Sequence, residues 1–143
     1  SGFAGLTSFF TSFGYFSTAE QDRGAAAEMH RVLRPGGSFM LDFLNADRVR
    51  RELVASESGR IRGYEVSVER KIQDDTVVKE ITLRAEEGDE VRRYEERVRL
   101  YEANQLSEVL RDVGLEPRYR FGDYEGGVFA SDSSRLILAG VAA

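Results

Sequence analysis

Hydrophobic residues in the first third of the chain alternate between strand-like runs and helix-like spacing. An apolar run over 3–10 has the length of a strand, and a nearly uninterrupted run over 38–44 is typical of a strand covered on both faces. Between them, apolar residues recur at the spacing of one helix face: Ala25, Ala26, Met29, Val32 and Leu33. A second helical pattern begins after Asn45. The order strand, helix, strand, helix predicts an α/β sheet with parallel neighbouring strands.

Capping and turn residues support these boundaries. Ser17 and Thr18 each begin a capping-box pattern, in which side chains satisfy the free N–H groups of the first helical turn. Pro35-Gly36-Gly37 predicts the end of that helix, because proline cannot continue the hydrogen-bond ladder and glycine allows the chain to reverse.

The middle of the chain has the period of a β-strand. Residues 57–99 carry 22 charges in 43 positions, 12 acidic and 10 basic, so most are expected on a solvated face. Apolar residues alternate with these charges in three groups: Tyr64, Val66, Val68 and Ile72; Val77, Ile81 and Leu83; Tyr94, Val98 and Leu100. The alternation predicts a three-stranded antiparallel meander with one apolar face. Arg70 interrupts the first of its strands.

The last third returns to the α/β pattern. Leu106, Val109, Leu110 and Val113 mark a helix that ends at Gly114, and 115–121 is predicted as a strand. A loop rich in glycine and aspartate follows, and the apolar run over 135–141 predicts a final buried strand.

Composition excludes several kinds of site. The formal net charge of −5 argues against a nucleic-acid or anionic-membrane partner, since both favour a basic face. Without cysteine there is no disulfide framework and no thiolate nucleophile, which is also compatible with the cytoplasm. The single histidine, His30, rules out a multi-histidine metal site, so no metal is expected. Its place inside a predicted helix favours a structural role over that of a general base.

The first 19 residues carry no charge and hold six of the fifteen aromatic residues. They lack the basic start of a signal peptide, and polar residues interrupt them too often for a membrane span. We therefore expect a buried strand followed by a loop that lines a pocket.

The stretch 28–42, EMHRVLRPGGSFMLD, resembles the end of the helix after strand 4 and the start of strand 5 in class I S-adenosylmethionine (SAM) dependent methyltransferases of the small-molecule branch. The flanking segments, from the aromatic loop to the last strand, occur in the order of that family. The resemblance implies the C-terminal half of a Rossmann-like sheet with strands 4-5-7-6 and the antiparallel meander as an insertion. It also implies three segments: core at 1–56, a lid or acceptor insertion at 57–101, and core again at 102–143.

The glycine-rich turn that holds SAM in this family has no counterpart in the sequence, and strands 1 to 3 are expected to be absent. SAM is therefore expected to bind only together with a missing N-terminal half. Strand 4 would then expose an apolar edge, which is a pairing hazard. The expected partner is that missing half or a second copy forming a homodimer.

Six residues are candidates for binding, and no catalytic residue is assigned. By resemblance, Ser8, Phe9 and Phe10 at the carboxyl end of the first strand would contact SAM, although Phe9 and Phe10 could be core. Phe13, Tyr15 and Asn45 would line the acceptor pocket. Tyr15 could instead pack on the helix, and Asn45 is a favourable N-cap. Asp42 lies in an apolar strand and needs a partner if it is buried.

The function that the resemblance implies is methyl transfer from SAM to an unidentified small molecule. The alternative is a non-catalytic half-domain that uses its open strand edge for dimerisation or partner binding. A fragment of a dinucleotide-binding enzyme is a third reading, which the RVLRPGG stretch disfavours.

Overall fold

The computed structural model describes residues 2–143. Ser1, which opens the predicted 1–56 segment, lies outside the described residues. Across 2–143 the chain forms two β-sheets and three helices. The helices are α1 (Ala19–Val32), α2 (Ala46–Glu52) and α3 (Ala103–Arg111). The strands are β1 (Phe3–Ser8), β2 (Leu33–Leu44), β3 (Ser56–Ile61), β4 (Tyr64–Gln73), β5 (Thr76–Ala85), β6 (Val91–Arg99), β7 (Leu115–Phe121) and β8 (Arg135–Ala142).

The first sheet is mixed and has the strand order β1-β2-β8-β7. β1 and β2 are parallel and are connected by α1, whereas β8 runs antiparallel to both of its neighbours. This order is the one that the resemblance predicted as strands 4-5-7-6. The parallel pair places the carboxyl ends of β1 and β2 at the same edge of the sheet, where β8 begins.

The second sheet is antiparallel and has the order β3-β4-β5-β6. Within the described residues it contains one strand more than the predicted three-stranded meander. The additional strand is β3, whose sequence does not alternate between apolar and polar residues. Ile61 is the only large apolar residue of β3, and every residue of that strand is exposed. Pairing with β4 along the whole strand, from Ser56 to Ile61, defines β3 instead.

The core lies on the mixed sheet, beneath α1 and α3. Strands β2 and β8 contribute side chains that are at most 1% exposed, among them Leu41, Phe43, Leu136 and Leu138. Ala26 of α1 and Leu106 and Leu110 of α3 cover them. Burial of both central strands agrees with their nearly continuous apolar sequence.

Strand β1 lies at the edge of the mixed sheet and is largely exposed. Phe3 is 68% exposed, and the outer edge of β1 has no partner strand in residues 2–143. The expectation of a buried first strand is therefore wrong for the chain as described. The exposed strand edge implied by the resemblance is present, because β2 covers only one side of β1.

Candidate functional site

A cavity of about 560 Å³ lies where the carboxyl edge of the mixed sheet faces the antiparallel sheet. The mixed sheet and its loops supply one wall, which consists of Phe10, Thr11, Tyr15, Leu44, Asn45, Ser134 and Arg135. Helix α2 and the residues after it supply the second, which consists of Arg48, Val49, Glu52, Leu53 and Val54. The antiparallel sheet supplies the third, which consists of Glu57, Arg70, Val77, Lys79, Glu96 and Val98. A ligand in this cavity would contact both sheets.

Asp42 holds the loops around this edge together. Its carboxylate is fully buried near the end of β2. Oδ1 accepts a hydrogen bond from Arg135 Nε (2.8 Å), and Oδ2 accepts one each from the Phe10 backbone N–H (2.8 Å) and the Tyr124 hydroxyl (2.8 Å). Arg135 also donates to Thr11 Oγ1 (2.8 Å). One buried anion thereby fixes the loop after β1, the loop before β8 and the start of β8.

The loop after β1 is strained at two adjacent residues. Phe10 and Thr11 have φ angles of 57° and 56°, in the left-handed region that side chains such as these rarely adopt. Each such residue costs about 1–3 kcal/mol and persists only where neighbouring contacts enforce it. The contacts with Asp42 and Arg135 do so here. Phe10 and Thr11 also line the cavity, so the strain lies at the site itself.

A second buried carboxylate, Asp22 of α1, ties the antiparallel sheet to the core. Its Oδ2 accepts hydrogen bonds from Arg99 Nε (3.0 Å) and the Tyr101 hydroxyl (2.8 Å). The Arg99 backbone N–H donates to the Gly14 carbonyl (2.8 Å), which fixes the aromatic loop against the end of β6. Burial and the neighbouring Asp22 raise the pKa of Tyr101, so this hydroxyl stays a donor. These contacts therefore hold the antiparallel-sheet wall of the cavity in place against the mixed-sheet wall.

Tyr15 lies between opposite charges in the cavity. Partial burial raises the pKa of its hydroxyl, the Glu96 carboxylate raises it further, and Arg135 acts in the opposite direction. The side chain is 47% exposed, so its neutral hydroxyl is accessible to a ligand. Tyr15 can therefore donate or accept a hydrogen bond but is not set up as a general base.

The cavity contains three of the six residues predicted to bind. Phe10, Tyr15 and Asn45 line it. Asn45 also caps α2 by accepting a hydrogen bond from the Asp47 N–H, and its Nδ2 donates to the carbonyls of Ser131 (3.0 Å) and Ser133 (2.8 Å). Asn45 is 3% exposed, and its side-chain polar atoms are used in these hydrogen bonds. Its capping role is therefore established by the structure, and contact with an acceptor stays a prediction.

The other three lie outside the cavity lining. Phe13 is 4% exposed and packs in the core, with its ring centroid 6.1 Å from that of Tyr101. Ser8 ends β1, and Phe9, just beyond the strand, is 41% exposed. Contact of Ser8 and Phe9 with SAM stays a prediction. Phe13 supports the loop from within rather than facing this cavity.

Sequence reasoning missed the residues that give the site its charge. Asp42 was recognised as needing a partner, but Arg135 and Tyr124 lie 93 and 82 positions away along the chain. Glu96 and Lys79 were assigned to a solvated face. A signal was available, because Arg70 interrupts an apolar face and its partners across the strands are Lys79 and then Glu96.

Other features lie away from the cavity. His30 is near the opposite edge of the mixed sheet, with Nε2 3.2 Å from the carbonyl of Ala143, which agrees with a structural role. Among residues 2–143, no group of acidic or histidine side chains is arranged to hold a metal ion. None of the helices in that range has the length and apolar character needed to cross a membrane.

No protein-family model and no curated protein matches the sequence. Solved structures do match. A SAM-dependent methyltransferase from Clostridium acetobutylicum superposes with a TM-score of 0.83 at 17% identity, over 99% of this chain and 58% of that one. The CcbJ methyltransferase from Streptomyces caelestis gives 0.78 at 20% identity, over 99% and 58%. SAM-bound CalS10, an amino pentose methyltransferase from Micromonospora echinaspora, gives 0.67 at 18% identity, over 99% and 59%.

The match covers nearly all of this chain but less than two thirds of each solved structure. At this level of identity the likeness concerns the fold. It includes both sheets, because 99% of the chain superposes. The chain therefore has the fold of the C-terminal part of SAM-dependent methyltransferases.

Proposed function

We propose that this chain provides the acceptor-binding part of an enzyme that transfers a methyl group from SAM to a small molecule. The observation that carries the proposal is the cavity of about 560 Å³ between the carboxyl ends of β1 and β2 and the antiparallel sheet. Ligands of open α/β sheets bind outside the carboxyl ends of the strands. The likeness to methyltransferase structures supports the same reading.

The residues of the chain would act mainly by position. Methyl transfer from a sulfonium requires alignment of the acceptor atom and a site shielded from water more than it requires acid–base chemistry. The Asp42 contacts fix the strained loop at Phe10 and Thr11, and the Asp22 contacts fix the antiparallel sheet opposite. Tyr15 offers a neutral hydroxyl to an acceptor. The insertion then forms the wall that would decide which acceptor fits.

The residues present fit SAM only in part. When bound, SAM would supply the activated methyl group. The exposed carboxyl end of β1, with Ser8 and the half-exposed ring of Phe9, is an open surface beside the cavity. A glycine-rich turn leading into a helix N-terminus, the usual device for holding such a cofactor, is not found in the sequence. We therefore propose that tight SAM binding requires residues beyond these 143.

Calorimetry and product analysis test this proposal. The product of the complete coding sequence is titrated with SAM, and in parallel incubated with SAM and a panel of small amines and alcohols. We expect measurable SAM binding and acceptor-dependent formation of S-adenosylhomocysteine. The 143-residue chain alone serves as the control and should bind SAM much more weakly. Absence of both SAM binding and product with the complete protein would overturn the proposal.

A second candidate function is dimerisation or partner binding without catalysis. The exposed outer edge of β1, where Phe3 is 68% exposed, favours it. An apolar strand edge of this kind pairs readily with another strand. Sedimentation analysis of the complete protein distinguishes the two functions: a concentration-dependent dimer with no SAM binding supports the module, and SAM binding by the complete protein supports the enzyme.

A further inference from the structure

The apolar face of the antiparallel sheet is crossed by a row of charged side chains. Arg70 of β4 pairs with Lys79 of β5, which pairs with Glu96 of β6. Directly paired residues of antiparallel strands lie on the same face. Glu57 of β3 extends the row through its ion pair with Arg70 (2.7 Å). All four line the cavity, so the charges face the candidate site rather than bulk solvent alone.

One cross-strand pair in this row is unfavourable for the sheet by itself. Arg70 and Lys79 are like charges directly opposite each other, which destabilises a strand pair. Apolar residues in their place would continue the neighbouring pairs, Ile72 with Val77 on one side and Val68 with Ile81 on the other. A charged row that interrupts an apolar face at a cavity points to a ligand rather than to the stability of the fold.

Within this row, Lys79 and Glu96 are the pair available to a ligand. Arg70 is engaged by Glu57 at hydrogen-bond distance, whereas Lys79 Nζ and Glu96 Oε2 are 3.5 Å apart. Strong charge-assisted hydrogen bonds are about 2.7–2.9 Å long. Neither side chain forms a hydrogen bond within residues 2–143, and they are 32% and 49% exposed. A donor and an acceptor therefore stand side by side at the cavity, joined only by a long ion pair with each other.

An apolar pair lies directly beside them. Val77 and Val98 are paired across β5 and β6 and also line the cavity. A compact ring could rest on these two side chains while its polar edge reaches the charged pair. These four side chains together therefore suit a molecule with an apolar face and two polar groups on adjacent atoms.

We propose that Lys79 and Glu96 are the specificity-determining residues for the acceptor, and that they recognise neighbouring polar groups on its ring. Lys79 donates a hydrogen bond to one group and Glu96 accepts one from the other. An acceptor with a single polar group leaves one of the two charges without a partner and binds more weakly. This inference rests on the proposed function, in which the cavity holds the acceptor.

Binding of two matched probes to the 143-residue chain tests the inference. trans-Cyclohexane-1,2-diol and cyclohexanol share a ring and differ in the second hydroxyl. The chain contains two lysines, Lys71 and Lys79, so a sample with ¹³C-labelled lysine gives two sets of side-chain signals. Lys71 is exposed on the other face of the sheet and is an internal control. The Lys71→Arg variant assigns the signals.

We expect the diol to shift the Lys79 signals but not those of Lys71, with a Kd about tenfold below that of cyclohexanol. This is the scale of one hydrogen bond to a charged group that is partly exposed. The preference should fall to less than about twofold in Lys79→Met, which loses the donor, and calorimetry follows binding in this variant because it has no Lys79 signal. In Glu96→Gln the preference should fall by a smaller factor, since a neutral amide oxygen replaces the charged acceptor. The matched controls, Glu95→Gln and Lys71→Met, should keep it. Glu95 forms its ion pair with Arg97 (2.6 Å).

Equal binding of the two probes to the unmodified chain would overturn the inference, as would the absence of any Lys79 shift or an equal loss in the controls. Failure of the proposed function is a separate result, because this titration requires no SAM. A selective Lys79 response without methyl transfer removes only the enzymatic proposal. Methyl transfer whose acceptor KM is unchanged in Glu96→Gln and Lys79→Met removes only the assignment of this pair.

Discussion

Replacement of Asp42 by asparagine should destabilise the chain strongly although the two side chains have nearly the same shape. The Asp42 carboxylate accepts three hydrogen bonds, from Arg135, from the Phe10 N–H and from Tyr124. Asparagine has one oxygen and one NH₂ group. Whichever way the amide is turned, NH₂ faces at least one donor, and Arg135 loses its counter-ion.

The geometry sets the size of the effect. Removing one partner of a buried ion pair costs about 3–5 kcal/mol. Because the Arg135 side chain is 22% exposed and can be partly hydrated, we expect the lower end, about 3 kcal/mol. With an m-value of about 2 kcal/mol/M, the urea midpoint would fall by about 1.5 M. This is a large share of the free energy of unfolding of a typical domain, about 5–15 kcal/mol.

Urea unfolding followed by far-ultraviolet circular dichroism measures the change. Asp132→Asn is the matched control, because Asp132 is exposed in the loop before β8, and its effect should stay within about 0.5 kcal/mol. Tyr124→Phe is a milder variant that removes one of the three donors and should cost less than Asp42→Asn, since Tyr124 is exposed to water. A loss below about 1 kcal/mol in Asp42→Asn would refute the reasoning, since the ion pair alone predicts more.

Four further results are expected. Tyr101 has a raised pKa in the folded state, so the stability it contributes is present below about pH 10, the pKa of tyrosine in the unfolded chain, and is lost as the pH rises further. In urea titrations at alkaline pH, Tyr101→Phe should therefore lose less stability per pH unit than the unmodified chain. An unchanged dependence of stability on pH would contradict the assignment. Glu96→Gln should lower the pKa of Tyr15, because the Glu96 carboxylate raises it in the unmodified chain. The change is observed as tyrosinate absorbance that appears at a lower pH. Gly114→Ala should cost more than 1 kcal/mol in thermal unfolding, since φ is +89° and a Cβ would lie 2.9 Å from the His30 ring. Gly24→Ala, in an exposed helical position with open space around it, should instead stabilise by about 0.5–1 kcal/mol, and a loss there would show that helix α1 is not as described.

Local signals were sufficient for the elements that bury apolar surface. Thr18 forms the predicted capping box at the start of α1, and Asn45 caps α2. Helix α1 ends at Val32, as the stop signal predicts, but Pro35, Gly36 and Gly37 lie within β2, because the chain is already extended at Leu33. These features depend on a few neighbouring residues, so the sequence records them directly. Strand β3 lacked such a signal, since it buries nothing.

The sequence by itself determined the α/β order and the buried central strands, since periodicity reports which faces are removed from water. The strand order of the mixed sheet followed from the family resemblance. Only the tertiary structure decided that Arg135 and Tyr124 are the hydrogen-bond partners of Asp42, and that Lys79 and Glu96 face a cavity. Those contacts join residues far apart in the chain, and the sequence does not distinguish a charged residue that faces solvent from one that faces a site. The sheet register, which long-range pairing fixes, makes that distinction.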